Sequence, residues 1–359
     1  MIDLSKTIDL STTYLGLKLK NPLVASSSPM CQDLANVCRI EEFGAAAVVL
    51  PSLFEEQIEM ESDELDHFIT EGSEISAESI THFPELTRTV DAPAAYMKHI
   101  EACKRAVKIP VIASLSADTH EGWVRLAQRI EKAGADAVEL NIYKMSLSTD
   151  TPSSKIEQAY VDITHSVVSA IKIPVSVKLP PFFTNLALIS SQLEDAGAKG
   201  LIFFNRFFQP DLDLLSMGPG YSLRLTTGAE NRLPLRWLSL IYRQVRLDLA
   251  AGTGIRTGAD VLKMILSGAS ATQLCSVLLQ RGIPWLELID QDLRHWMEIC
   301  QVKSLKEAKG ILASDPNGDV EGEEYRRALQ GYSSIEVPER RVVHGPRPVR
   351  RTEKSVTTP

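Results

Sequence analysis

A seven-residue pattern recurs four times along the chain, as GAAAVVL (44–50), GADAVEL (134–140), GAKGLIF (197–203) and GASATQL (268–274). Each copy follows an amphipathic segment. Its glycine suits the left-handed residue that ends a helix, and the small residue after it permits a tight turn. The apolar residues that follow read as a parallel strand buried on both faces. A second unit lies between the copies. KIPVIASL (108–115) and KIPVSVKL (172–179) are near duplicates, with NPLVASSS (21–28) and RLDLAAG (246–252) in equivalent places. Where proline is present, it opens the strand.

The strands expected are 23–26, 46–50, 110–114, 136–141, 174–178, 200–204, 247–251 and 270–274, with amphipathic helices over 33–42, 94–107, 119–133, 156–170, 186–195, 234–245, 258–267 and 284–300. Strands and helices alternating in a repeated (βα)2 unit predict an α/β chain closed as a (β/α)8 TIM barrel; an open doubly wound sheet needs no fourfold repeat. TTYLGLKLK (12–20) alternates as an N-terminal β-hairpin capping the barrel bottom, and insertions follow strand 2 (51–92) and strand 6 (205–233), over the face where barrels place their sites. The expected organisation is one barrel domain, 1–335, and a basic, disordered C-terminal tail, 336–359.

The chain has 359 residues, 44% hydrophobic and 23% charged, enough for a large core. No apolar run approaches the ~18 residues needed to span a bilayer, and the start, MIDLSKTIDLS, lacks the order of a signal peptide. A cytoplasmic protein with no membrane partner is expected. The cysteines at 31, 38, 103, 275 and 300 have no C-x-x-C, and the histidines form no H-E-x-x-H, so neither an iron–sulfur cluster nor a metal site is expected. Net charge is −8, unevenly spread: residues 55–92 hold twelve acidic residues against Arg88, and 338–359 hold six Arg and Lys against Glu339 and Glu353. Both read as solvated surface, and no nucleic-acid partner is expected.

In a barrel the informative polar residues lie at the C-terminal strand ends. These are Ser26, Ser27 and Ser28; Ser114; Glu139 and Asn141; Lys178; Asn205 and Arg206; Gly252, Thr253 and Gly254; and Cys275 with Ser276. The last two groups follow strands 7 and 8, where exposed backbone N–H groups commonly bind a phosphate. Lys178 stands among apolar neighbours, and a lysine is rarely buried without a partner. Its two readings are a salt bridge with Glu139 and a grip on an anionic group.

NPLVASSS, the ELN of strand 4, VKLPPFF of strand 5, Asn205 and GTGIRTGAD resemble the dihydroorotate dehydrogenases, FMN-dependent (β/α)8 barrels, over about Leu10 to Leu312; ELNIY, FNRFFQPD and RLPLRW resemble a divergent dihydroorotate dehydrogenase-like subgroup. The resemblance implies an oxidoreductase of pyrimidine biosynthesis that passes a hydride from a small substrate, dihydroorotate or a related compound, to flavin. It puts Ala25 and Ser26 against the flavin, Ser114 and Asn141 near flavin and substrate, and Lys178 at the polar edge of the ring. Asn205 would bond the substrate, and Gly252, Thr253, Gly254, Cys275 and Ser276 would surround the FMN phosphate.

The chain departs from the family pattern at five places, two of them at the phosphate end: the family's glycine pair after strand 7 is here Thr253-Gly254, and its Gly-Thr after strand 8 is here Cys275-Ser276. Val49-Leu50-Pro51 stands where the family has Lys-Ser at the end of strand 2. Ile142-Tyr143-Lys144-Met145-Ser146 replaces the loop bearing the family's Cys or Ser base, which makes Tyr143 or Lys144 the candidate catalytic base. Of the asparagines that grip orotate, Asn141 and Asn205 align, while Ser146 and one of Glu78, Ser79 or His82 fill the other places.

Two other readings stay open: a phosphate-binding lyase or aldolase using Lys144 or Lys178 as a Schiff-base amine, and a non-catalytic subunit of a redox complex docking through 55–92 and the tail. The candidate partners are a small-molecule substrate, a redox partner protein and a second copy of the chain. With no apolar helix read before the barrel, the membrane-associated, quinone-using class is not expected, and an NAD-linked iron–sulfur route would need a second subunit.

Overall fold

A computed structural model describes residues 8–55, 92–144, 148–207, 209, 211–215, 217–220, 224–315, 325–327 and 329–330. The chain divides into two units, Met1–Pro316 and Asn317–Pro359; in the second, 325–327 and 329–330 are helical. Most of the insertion after strand 2, with Glu78, Ser79 and His82, lies outside the described residues, as do Met145, Ser146 and the basic tail.

The first unit opens with an antiparallel hairpin, β1 (Thr12–Tyr14) and β2 (Leu17–Leu19). The barrel strands are β3 (Leu23–Ala25), β4 (Ala47–Phe54), β5 (Val111–Ser116), β6 (Ala137–Asn141), β7 (Val175–Leu179) and β8 (Gly200–Phe203), then β11 (Asp248–Ala251) and β12 (Ala269–Leu274). All pair in parallel and the ring closes through β8–β11 and β12–β3, the (β/α)8 barrel that the repeat predicts. In the insertion after β8, β9 (Asp211–Asp213) and β10 (Gly218–Gly220) make a small antiparallel ribbon.

Helices α1 (Leu34–Glu42), α2 (Ala92–Ala106), α3 (His120–Lys132), α4 (Ser153–Ala170), α5 (Leu186–Asp195), α6 (Arg232–Ile241), α7 (Gly258–Leu266), α8 (Ser276–Arg281), α9 (Trp285–Ile299) and α10 (Leu305–Ala308) follow the strands. The four repeat glycines, Gly44, Gly134, Gly197 and Gly268, have φ of 102°, 90°, 93° and 116°, the left-handed helix ends that their place in the pattern requires.

The fourth position of each repeat explains why that residue too is small. Ala47, Ala137 and Ala271 join the barrel interior, where they pack with Tyr14, Leu15 and Leu19 of the hairpin. A Cβ on Gly200, the fourth copy of this position, would lie 2.6 Å from Leu15 Cδ2 and 2.8 Å from the Asp248 carbonyl. The small residues make room for the plug that closes the barrel floor. Val24, Ala46, Val49, Ile112, Ile202 and Ala250 complete this interior cluster, while the outward residues pack against the helices in the main core.

β4 runs further than expected. It passes through Pro51 with a register shift between Val49 and Ser52 and pairs with β5 as far as Phe54. The position that the sequence pattern read as a departure at Pro51 therefore carries Ser52 on the strand, beside Ser114.

Candidate functional site

Alternation along a strand carries the inward face upward two residues at a time. From Ala137 and Ala271 it reaches Glu139 and Gln273. From Val24, Ile112 and Ala250 it reaches Ser26, Ser114 and Gly252, and from Ser176 it reaches Lys178. The lower barrel interior is apolar but for Ser176 and the Tyr14 hydroxyl, and the upper one carries the buried polar groups Ser26, Ser114, Glu139, Lys178 and Gln273.

Lys178 is 9% exposed and faces three acceptors: Gln273 Oε1 at 3.1 Å, Glu139 Oε1 at 3.3 Å and Ser26 Oγ at 3.4 Å. The amide of Gln273 also donates to Glu139 Oε2, and Ser26 Oγ donates to Gln273 Oε1 at 3.1 Å. Glu139 is 1% exposed, so its charge is balanced inside the barrel by Lys178. A buried ion pair of this kind is stable only when further hydrogen bonds complete it, and Gln273 supplies them. With every contact an acceptor, Lys178 Nζ serves as a donor, which is the opposite of what a Schiff-base amine needs.

Above this network opens a cavity of about 550 Å3. Ser26, Lys178 and Gln273 line its floor; Gly252, Thr253 and Gly254 after β11 and Cys275 and Ser276 after β12 line one end; Asn205 and Arg206 after β8 line a side. Thr253 and Gly254 both have φ of 75°. A Cβ on Gly254 would lie 2.5 Å from the Asn231 nitrogen, so this turn admits glycine alone. The Thr253 hydroxyl donates to the Phe204 carbonyl at 3.0 Å and holds the strained residue in place. The loop before α6 folds over this end: the Thr226 N–H donates to Ser276 Oγ, and the Gly254 N–H to Thr226 Oγ1. Cys275 opens α8 without a side-chain cap, which leaves the first-turn N–H groups of that helix unsatisfied by it. Burial pushes the Cys275 thiol up in pKa, and the Lys178 charge offsets part of that.

Ser114 and Asn141 belong to a separate chain of bonds. Ser114 Oγ and Ser52 Oγ share a hydrogen bond of 2.8 Å, Asn141 Nδ2 donates to Ser52 Oγ at 3.3 Å, and Asn205 Nδ2 donates to Asn141 Oδ1 at 2.7 Å. Ser114 is fully buried and does not line the cavity. The Ala25 methyl belongs to the core between wall and helices, because alternation turns Val24 inward and Ala25 outward. Tyr143 and Lys144 are exposed and lie outside the cavity lining. Their loop is pinned below by Tyr160, whose hydroxyl donates to the Ile142 carbonyl and accepts from the Lys144 N–H, both at 3.2 Å.

Ser52 and Gln273 escaped the sequence reading. Pro51 looked like the end of a strand, which hid Ser52. Gln273 sits inside a strand, not at its end, and only the phase set by Ala271 shows that it faces the barrel axis. A second space of about 500 Å3 adjoins the first across Phe204–Phe207, walled by the edge-to-face pair Phe182 and Phe207.

The family model for dihydroorotate dehydrogenase matches residues 87–297. The dihydroorotate dehydrogenase B (NAD(+)), catalytic subunit, of Thermoplasma volcanium is 26% identical over 311 residues, covering 84% of this chain and 98% of that protein. The putative dihydroorotate dehydrogenase A (fumarate) of Aeropyrum pernix is 28% identical over 206 residues, 56% of this chain and 67% of that protein. A dihydroorotate dehydrogenase A (fumarate) of Lactobacillus helveticus is 26% identical over 173 residues, 47% and 56% respectively.

Proposed function

The chain belongs to the dihydroorotate dehydrogenase family, and on that premise we propose that it is an FMN-binding oxidoreductase acting on a CH–CH bond of a small cyclic, carbonyl-containing substrate, dihydroorotate or a close relative. The observation that carries the reading is the cavity at the strand ends, with a buried cation on its floor and a glycine turn and uncapped helix start at one end. Its size is that of an ordinary cofactor pocket, roughly 300–1,000 Å3. The residues fit FMN: Lys178 suits the polar edge of the ring, and the backbone around Gly252, Thr253, Gly254, Cys275 and Ser276 suits the phosphate. In this reading the ring would rest against Ser26, which lines the cavity, and the neighbouring backbone of Ala25.

Bound FMN supplies a hydride acceptor. The protein's own part is to hold the substrate, exclude water and take the proton from the neighbouring carbon, so that a C=C bond remains. Asn141 and Asn205 are the substrate donors and acceptors in this reading. Their mutual bond, with Ser52 and Ser114 behind Asn141, fixes the Asn141 amide before substrate arrives. Tyr143 or Lys144 takes the proton in this reading. Electrons leave to a redox partner subunit, in line with the relatives named as catalytic subunits of an NAD(+)-linked enzyme.

The visible spectrum of the purified, desalted protein tests this, followed by dihydroorotate added without oxygen. A yellow protein that bleaches is the expected result. One that stays yellow removes dihydroorotate as the substrate, and a colourless one that takes up no FMN removes the flavoenzyme.

A further inference from the structure

Lys178 is the cation that the family reading assigns to the flavin, yet its charge is not free. An ammonium has three protons to give, and here three acceptors take them. One acceptor, Glu139, is a buried carboxylate, seated one layer below the cavity and absent from its lining. A second, Gln273, accepts from Lys178 with its oxygen and donates to Glu139 with its nitrogen, which fixes both side chains at once. The third, Ser26, lines the cavity, makes the longest of the three contacts and has Gln273 Oε1 as a second partner. Ser26 is therefore the contact that a ligand can replace without leaving a buried group unpaired.

We propose that Glu139 and Gln273 are positioning residues that set how much of the Lys178 charge reaches the ligand in the cavity. Glu139 partly neutralises the ammonium, and Gln273 holds it in line between the carboxylate below and the cavity above. This rests on the FMN reading. A flavin gains negative charge on reduction, so a half-neutralised lysine stabilises the reduced form less than a bare one does. The carboxylate then acts as a brake on the flavin potential, built into the barrel interior beyond the reach of the substrate.

The test is the midpoint potential of bound FMN, measured by anaerobic dye titration. Glu139→Gln keeps the shape and one of the two acceptor oxygens, so it removes the charge together with either the contact from Lys178 or the bond from Gln273. It should favour reduced over oxidised FMN by about tenfold, which is about 30 mV upward for a two-electron couple. Glu139→Gln combined with Gln273→Glu exchanges amide and carboxylate, keeps a donor facing an acceptor at each bond, and should bring the potential back to the wild-type value or below it, a readout that loss of packing alone would not produce. In a Lys178→Met background the Glu139→Gln shift should fall below about threefold, because the residue through which it acts is gone.

A wild-type chain that takes up no FMN overturns the flavin reading and this one with it. A wild-type chain that binds FMN while Glu139→Gln leaves the potential within about threefold, or no longer binds FMN, overturns this one alone; so does an equal shift with and without Lys178. Should Glu139→Gln fail to fold, the exchanged pair decides: a potential raised above wild type by more than about threefold in the reduced-to-oxidised ratio overturns the proposal.

Discussion

At the floor of the barrel, Ala47, Ala137, Gly200 and Ala271 surround Tyr14, Leu15 and Leu19 in an apolar plug. Two residues further along the same strands stand Val49, Glu139, Ile202 and Gln273, and above them Ser26, Lys178 and Gly252 face a cavity. One repeat builds both ends. Its small fourth position is shared by every copy, and its sixth position differs in every copy. The floor is thus fixed by a constraint common to the copies, room for the hairpin. The mouth is where copies diverge, two of them keeping apolar residues and two placing a carboxylate and an amide on the axis. Packing is shared and chemistry is local to single strands.

The contrast can be broken from the floor. Tyr14 is almost fully buried in the plug, and Tyr14→Ala should cost about 4 kcal/mol in chemical denaturation, the usual range for a lost core aromatic. FMN uptake by the folded fraction should be unchanged, since the floor does not line the cavity. The mouth should respond differently. Lys178→Met should cost about 3 kcal/mol by leaving Glu139 buried and uncompensated, and adding Glu139→Gln should restore most of it. An apolar mouth would show no such rescue. Lys178→Met should also weaken FMN retention, read by fluorescence titration.

A smaller effect is expected where the strand 2 insertion leaves the barrel. Glu55 is buried and accepts from the Asp118 and Thr119 N–H groups, the Thr119 hydroxyl and Arg125. Burial opposes its charge, but the Thr119 and Asp118 bonds and the Arg125 charge outweigh this and hold the carboxyl below its ordinary pKa. A depressed folded pKa contributes stability above the unfolded value, roughly 4.3, that is lost as pH falls through the folded one. Glu55→Gln should therefore cost about 1 kcal/mol at pH 7, as lost caps do, and the gap from wild type in urea unfolding should narrow steadily as pH falls below the unfolded value. The smallest effect separates the thiols. Burial pushes Cys31 up to about 12 and Cys275 upward too, whereas Cys300 is exposed. Mass spectrometry after alkylation at pH 8 should find Cys300 modified first, on the order of tenfold faster.

The fold was legible because the repeat encodes it in backbone terms. A left-handed glycine, a small residue and an apolar run are local requirements, and the barrel strands and their helices follow with boundaries within a few residues. The short α8 and the β9–β10 ribbon were not foreseen, being too short for periodicity to register. The mouth was half legible. Strand-end residues such as Lys178, Thr253 and Cys275 announce themselves by position. Ser52 did not, because proline at 51 reads as a strand end although the chain absorbs it in a register shift. Gln273 did not either, because one polar residue in ATQL has no meaning until the phase of the strand is known. Tyr143 and Lys144 had only a loop position to recommend them, and exposed loop residues acquire a role only when something binds.

If FMN binds in the cavity at the mouth and leaves the floor untouched, hydrogen exchange read by mass spectrometry with and without added FMN will separate the two ends of the barrel. Exchange should slow in segments containing 24–28, 252–255 and 275–278 and stay unchanged in the hairpin 12–19. Unchanged exchange at the mouth, or the same slowing at both ends of the barrel, would contradict binding at the mouth alone.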